Sequence, residues 1–367
     1  MNSKTDDEHH MRHALRLARR ALGRVAPNPA VGCVLVSVDG VVVGRGWTDV
    51  GGRPHAETGA LEQAGARAKG TTAYVTLEPC AHYGATPPCV DALIAAGISR
   101  VVGAIIDPDP RVAGKGFATL DHSGVSVTQG ICEREAHALN KGFFLRVEQR
   151  RPLVALKSAE SADGFVAGEM SEQVWITSDA ARRHGHLLRA QHDAILVGIE
   201  TIIADDPLLN CRLEGLEDRT PLRVVLDSGL RLSRASQLAR NAKHYPVLVF
   251  TVSKNESLEL TSSGVEIACV EADLDGRPDI AAVLKVLAER GITRVLVEGG
   301  PKIHSAFLAR NLADVIYRYR AQQNLGAGLQ SALNALFTAA GTCGPNIEFI
   351  ESSRFGPDLL ERFEIKV

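Results

Sequence analysis

The sequence predicts an α/β protein built as two successive domains. Three observations carry this reading. A chain of 367 residues exceeds what one ordinary hydrophobic core supports. Strand-like and helix-like patterns alternate up to about residue 150, which implies a mostly parallel sheet covered by helices. The alternation then restarts beyond the charged run Glu148-Gln-Arg-Arg-Pro152, which reads as a junction. The expected divisions are a polar N-terminal tail over 1–10, a first domain over 11–149 and a second over 150–367.

In the first domain, Ala30–Ser37 and Val41–Gly46 read as strands, and the stretch from Arg53 leads from a turn into a helix. Thr72–Leu77 is β-branched, aromatic and uncharged, the pattern of a buried strand. It runs into Glu78-Pro79-Cys80, where Pro79 suits the first turn of a helix. Cys89 opens a second helical run closed by Gly97. Arg100–Ile106 is a further strand, followed by the turn-rich loop Asp107–Gly116, and ligands of open α/β sheets commonly sit at such strand ends. In the second domain, Leu153–Lys157, Ala194–Gly198, Leu222–Asp227, Pro246–Thr251 and Thr293–Glu298 read as strands, with Ala180–Gln191 helical.

Composition narrows the function classes. Hydrophobic residues at 45% and charged residues at 23% describe a soluble globular chain. A net charge of −2 supplies no global basic field for nucleic acid. No apolar run approaches the roughly 18 residues of a membrane span. The polar, acidic first ten residues lack an apolar signal core, and seven scattered cysteines argue for reduced thiols; both point to the cytoplasm. The oligomeric state stays open, a homo-oligomer included.

The chemistry-bearing constellation is His55-Ala-Glu57, then Pro79-Cys80, then Cys89. One imidazole and two thiolates form a three-ligand zinc set with a fourth tetrahedral position left for water, the mark of a catalytic site. Zinc lowers the pKa of such a water. Glu57, a carboxylate outside the ligand set, can carry protons to a departing amine, as in zinc nucleobase deaminases. In the second half, Val297-Glu-Gly-Gly-Pro-Lys-Ile-His304 passes from a strand through glycines into a helix start, where free amides suit phosphate; such turns are also common as plain structure. Two aspartates in Thr201–Arg212 can cap a helix or bind a sugar hydroxyl. Lys157, at a strand end, can meet a phosphate, carry a proton or simply face solvent.

Together these segments give a chain that resembles the bifunctional riboflavin-biosynthesis deaminase–reductases. The resemblance runs from about Met11 to the C-terminus and rests on Ala26-Pro-Asn-Pro-Ala-Val-Gly32, His55-Ala-Glu57, Thr76-Leu-Glu-Pro-Cys80, Thr86-Pro-Pro-Cys89, Ala113-Gly-Lys-Gly116, Trp175-Ile-Thr177, Leu188-Arg-Ala190, Ala204-Asp-Asp-Pro207 and Glu298-Gly-Gly-Pro301. Eight residues separate Cys80 from Cys89, and this long spacing carrying Thr-Pro-Pro is a feature of that family rather than of most nucleobase deaminases.

The resemblance implies a cytidine-deaminase-like α/β/α domain followed by a dihydrofolate-reductase-like α/β domain. It implies one Zn2+ on His55, Cys80 and Cys89, with Glu57 as proton shuttle and Asn28 and His82 near the substrate. For the reductase it implies NADPH, with Ala159, Trp175, Thr201, Asp205, Ser228 and Gly300, Pro301, Lys302, Ile303, His304, Ser305 and Ala306 at cofactor positions. Lys157, Gln173, Arg189, Leu209, Arg212 and Glu298 fall at substrate positions. The implied reactions are deamination of 2,5-diamino-6-(5-phosphoribosylamino)pyrimidin-4(3H)-one with ammonia release, then reduction of the ribosyl side chain to ribityl. Departures from the family pattern are Ala81 for serine, Ala85 for an arginine or lysine, Asp109 for asparagine and Gln173 for serine. Ala85 removes a cation from the substrate loop, with an expected cost to phosphate binding.

Overall fold

The computed structural model describes residues 4–84, 87–110, 112–167, 175–254, 257–337, 344 and 346–366. The chain separates into two compact units, Met1–Arg150 and Arg151–Val367. The first runs α1 (Lys4–Ala18), β1 (Gly32–Val36), β2 (Val42–Trp47), α2 (Ala56–Ala64), β3 (Thr72–Val75), α3 (Cys89–Ala95), β4 (Arg100–Gly103), α4 (Lys115–His122), β5 (Ser126–Gln129) and α5 (Glu133–Gln149).

Its five strands lie in the order β2-β1-β3-β4-β5. Pairings β3–β4 and β4–β5 are parallel, whereas β1 pairs antiparallel with both β2 and β3. The sheet is therefore less parallel than the alternation suggests. The reason is local: Asp39-Gly40, with Gly40 at φ 78°, closes a short turn that forces β1 and β2 into a hairpin.

The opening polar residues are not a tail. They are helical from Lys4, and Met11, Ala14, Leu15 and Ala18 form a buried stripe at helical spacing. Asp7 is 4% exposed and accepts hydrogen bonds from Tyr74 (2.8 Å) and from both terminal nitrogens of Arg100 (2.9 and 2.8 Å). A polar stretch hides this role because its partners lie far away in sequence.

The second unit runs β6 (Leu153–Glu160), β7 (Phe165–Ala167), α6 (Asp179–Ala190), β8 (Ala194–Gly198), α7 (Ile199–Asp205), β9 (Leu222–Leu226), α8 (Gln237–Arg240), β10 (Val247–Thr251), α9 (Leu258–Ser262), β11 (Val265–Cys269), α10 (Ile280–Glu289), β12 (Arg294–Val297), α11 (Pro301–Ala309), β13 (Val315–Arg320), β14 (Leu329–Gln330), β15 (Ile347–Phe355) and β16 (Asp358–Ile365). The main sheet has the order β11-β10-β9-β8-β12-β6-β13-β16-β15. It is parallel from β11 to β13, and β16 and β15 extend it antiparallel. Its central strands are buried on both faces, which explains their continuous apolar runs. Asp206 is the left-handed residue ending α7, and its Oδ1 accepts from the amide of Gln237, the first residue of α8, at 2.8 Å, so it caps a helix start distant in sequence.

Deleting residues 1–10, or replacing Asp7 by Ala, is expected to cost the first unit about 2–3 kcal/mol, because the Arg100 charge loses its buried partner. Thermal unfolding checks this; an unchanged melting temperature for the deletion would restore the tail reading.

Candidate functional site

Glycines set the frame of the first site. A Cβ on Gly46 of β2 would lie 2.0 Å from the Ala56 carbonyl oxygen, so only glycine lets α2 lie this close to the sheet. Ala56, Ala60 and Ala64 form the matching small, buried face of that helix. His55 is consequently fixed as the residue capping α2, and Glu57 sits in the first turn, 4% exposed. Cys89 is the first residue of α3, as its sequence pattern predicts. Cys80 is not in a helix; Pro79 and Cys80 lie in the loop between β3 and α3, where the Cys89 amide donates to the Cys80 sulfur at 3.3 Å.

His55 Nδ1 lies 3.2 Å from Cys89 Sγ and 3.6 Å from Cys80 Sγ, and the three ligand atoms fall within 4.8 Å of one another. Zinc–nitrogen and zinc–sulfur bonds of about 2.0 and 2.3 Å give a tetrahedral nitrogen–sulfur edge of about 3.6 Å. The donor set therefore fits zinc in type, number and spacing. Hydrogen bonding from Cys89, assisted by His55, lowers the Cys80 thiol to about 4, whereas Cys89 is pushed up. Negative charge thus gathers first on Cys80. Burial, then the Cys80 charge, raises the Glu57 carboxyl to about 7.

A cavity of about 450 Å3 opens on this cluster, and Asn28, Arg53, His82, Tyr83, Asp107, Asp109 and Arg146 also line it. Asn28 donates its amide to Val25 O (3.2 Å) and Gly51 O (3.4 Å), which pins one wall. His82 Nδ1 is buried with no hydrogen-bond partner among the described residues, an orphan that a ligand in the cavity can satisfy. Burial raises Asp107 to about 6. Glu78, beside Cys80, accepts the backbone amides of Asp107 (3.2 Å), Gly114 (2.8 Å), Gly116 (2.8 Å) and Phe117 (3.3 Å). It holds the Asp107–Gly116 loop against the cavity. Sequence reasoning found that loop by its position and singled out Asp109 in it, but missed Glu78 as its anchor.

In the second unit, Glu298 follows β12. Arg189 grips it with Nε at 2.8 Å and Nη2 at 3.0 Å, and Lys157 Nζ stands at 3.7 Å. Burial opposes ionisation of Glu298, but Arg189 and Lys157 outweigh it and hold the carboxyl at about 2. The Asn210 carbonyl accepts from Arg189 (3.0 Å) and its side chain from Arg212 (3.1 Å). Leu209, buried and at φ 52°, turns the chain there. Burial, reinforced by Arg189 and Arg212, lowers His186 to about 4. The structure thus unites Lys157, Arg189, Leu209, Arg212 and Glu298, and adds His186 and Asn210. Asn210 was visible as a polar residue in an apolar run; His186 had no comparable signal. Gln173 lies outside the described residues.

The expected cofactor positions fall near the carboxyl ends of four neighbouring strands. Ser228 follows β9, Thr201 and Asp205 are on α7 after β8, Gly300–Ala306 open α11 after β12, and Ala159 is on β6. Trp175 is 60% exposed, with Arg182 stacked 4.5 Å from its ring centre. Within α11 the side chains of two of these residues pack into the fold. His304 is buried with Nε2 3.3 Å from Val297 O, and Ile303 packs where a Cβ on Gly299 would come within 2.8 Å. Their amides bond back to Gly300 O, leaving Gly300 and the exposed Lys302 as the outward part of the turn.

Fold and site define the class: a zinc-deaminase unit joined to a reductase unit of dihydrofolate-reductase type. Residues 4–105 match the cytidine and deoxycytidylate deaminase zinc-binding region, and residues 152–360 match the RibD C-terminal domain. The chain belongs to the RibD family and carries the deaminase and reductase activities of riboflavin biosynthesis. It is 39% identical to riboflavin biosynthesis protein RibD of Escherichia coli K12, covering 96% of this chain and 98% of that protein. The Aquifex aeolicus protein is 41% identical over 88% of this chain and 89% of its own length. Among solved structures, Acinetobacter baumannii RibD is 38% identical with full coverage of both chains and a TM-score of 0.86. A Thermotoga maritima diaminohydroxyphosphoribosylaminopyrimidine deaminase/5-amino-6-(5-phosphoribosylamino)uracil reductase is 35% identical over 99% of each chain, also at 0.86.

Glu298→Gln is expected to destabilise the second unit by about 3 kcal/mol near neutral pH, because Arg189 and Lys157 lose their buried counter-charge. The folded-state pKa of Glu298 is depressed, so its contribution is present above the unfolded value near 4.5 and disappears as pH falls through about 2. Denaturant titrations between pH 7 and 2 should show the gap between wild type and variant closing; a constant gap would remove the ion pair as its cause.

Proposed function

We propose that the first unit deaminates 2,5-diamino-6-(5-phosphoribosylamino)pyrimidin-4(3H)-one and that the second reduces the ribosyl group of the product to ribityl with NADPH. The observation that carries the first half is the His55, Cys80 and Cys89 cluster beside buried Glu57. These three residues would hold one zinc ion, which when bound supplies a water of lowered pKa. Glu57 takes a proton from the attacking water and delivers it to the departing amine. A carboxyl held near 7 by burial serves both transfers at neutral pH. Asn28 and His82 orient the substrate, a role supported by the orphaned His82 nitrogen.

In the second unit the carboxyl ends of β9, β8, β12 and β6 form the cofactor crevice, with Ala159, Trp175, Thr201, Asp205, Ser228 and the Gly300–Ala306 turn around it. The open space beside Gly300, where a Cβ would meet nothing within 4 Å, fits a ligand lying close to the backbone. NADPH, when bound, supplies the hydride. Arg189 and Arg212 bring guanidinium groups to the substrate end, and Glu298 fixes Arg189 for it. Lys157, held by Glu298, sits where it can orient a sugar oxygen or move a proton. The cytoplasm is the compartment that keeps Cys80 and Cys89 reduced for metal. Among the described residues no helix is long and apolar enough to cross a membrane.

Two variants test the assignments. Glu57→Gln is expected to keep zinc, measured by metal analysis, while ammonia release falls roughly 10²–10⁴-fold; wild-type turnover would remove Glu57 from the proton path. Cys80→Ser is expected to abolish deamination yet leave NADPH oxidation with the deaminated substrate intact. Equal loss of both activities would show that the two chemistries do not reside in separate units.

A further inference from the structure

The loop from Ala81 to Pro88, between the two cysteines, contains no lysine or arginine. The proposed substrate carries a phosphate. The cavity it enters is already lined by Glu57, Asp107 and Asp109, so a dianion there is repelled unless a cation meets it. Among the described lining residues, the guanidinium groups belong to Arg53 and Arg146. Arg53 is the one beside the loop: its Nη2 lies 3.6 Å from the point a Cβ on Gly84 would occupy, one residue before Ala85.

The backbone carrying Arg53 is tightly built. Gly52 has φ 90°, and a Cβ there would overlap the Asn28 side chain at 2.0 Å. Asn28 also donates to Gly51 O at 3.4 Å, Gly51 N donates to Arg24 O at 2.9 Å, and Asp49 N to Pro54 O at 3.1 Å. The guanidinium therefore projects from a pinned loop, and Arg53 itself is exposed at the cavity rim. Two residues further on, His55 enters the metal cluster.

We propose that Arg53 binds the phosphate of the deaminase substrate, supplying the cation that the sequence from Ala81 to Pro88 lacks. A guanidinium suits this task because its planar fork can donate two hydrogen bonds to phosphate oxygens. A contact with the phosphate is remote from the amine-bearing ring carbon of the substrate, so Arg53 sets substrate affinity and specificity rather than the rate of the chemical step. This assignment rests on the proposed deaminase substrate.

The test uses the zinc-loaded full chain, ammonia release, and two substrates: the phosphorylated diaminopyrimidine and the same compound without its phosphate. Arg53→Ala is expected to raise KM for the phosphorylated substrate by about 10- to 100-fold, the scale of a lost charge-assisted contact, with kcat little changed. KM for the dephosphorylated compound should stay as in wild type. Inorganic phosphate should compete in wild type and lose that effect in the variant. Adding Ala85→Lys to Arg53→Ala should recover most of the affinity, because the cation returns from the loop. Zinc content and NADPH oxidation with deaminated substrate report that the variant is folded; should Arg53→Ala fail them, Arg53→Gln replaces it. An unchanged KM, or equal rises for both substrates, overturns the assignment. Wild-type enzyme that releases no ammonia from either compound instead overturns the substrate reading beneath it.

Discussion

Glu78 and Glu298 each stand just past a buried strand, where a carboxylate has lost most of its water and must be held by something else. The two units meet this constraint differently. Glu78 is satisfied by four backbone amides from the Asp107 loop and the start of α4, so its charge becomes a structural pin beside Cys80. Glu298 is satisfied by Arg189 and Lys157, so its charge holds cations in place. One carboxylate shapes a cavity wall; the other positions the groups that face a ligand. In both cases the surrounding polar residues form one linked network, and removing the central acid leaves several donors without a partner.

The zinc-type cluster depends on the same economy of buried charge. Two thiols and an imidazole packed within a few ångströms share a proton inventory, and Cys80 takes the negative charge because Cys89 and His55 both donate toward it. Glu57 sits close enough to feel that charge and deep enough to resist ionising. A divalent cation relieves all of these tensions together, which is a physical reason for a metal here independent of any resemblance. Helix α2 can bring His55 and Glu57 this near only because Gly46 offers no side chain.

What was legible in the sequence was local. His55, Glu57, Cys80 and Cys89 announce themselves because ligand spacing is a short-range pattern, and buried parallel strands announce themselves as unbroken apolar runs. What was not legible depends on distant pairs. Asp7 looks like part of a solvated tail until Tyr74 and Arg100, 67 and 93 residues away, close on it. Glu78 looks like a strand-end charge until the Asp107 loop folds over it. The β1–β2 hairpin is a different case: Asp39-Gly40 signalled it, and reading alternation alone passed over that turn. The antiparallel β15–β16 edge is partly exposed, β15 most of all, and so lacks the unbroken apolar run that marks the buried parallel strands.

The position of Arg53 shows why a residue-by-residue transfer from relatives falls short at a substrate rim. Phosphate recognition requires positive charge at a place in space, and more than one segment of chain borders that place. The loop that follows Cys80 and the turn before His55 border one another, as the approach of Arg53 to Gly84 makes plain. A cation can therefore leave one segment and enter from the other without moving the metal ligands or Glu57. The metal chemistry allows no such exchange, because His55, Cys80 and Cys89 must converge on a single point at bonding distance. Substrate affinity can therefore be set from either segment while the reacting centre stays fixed, which is the arrangement proposed for Arg53.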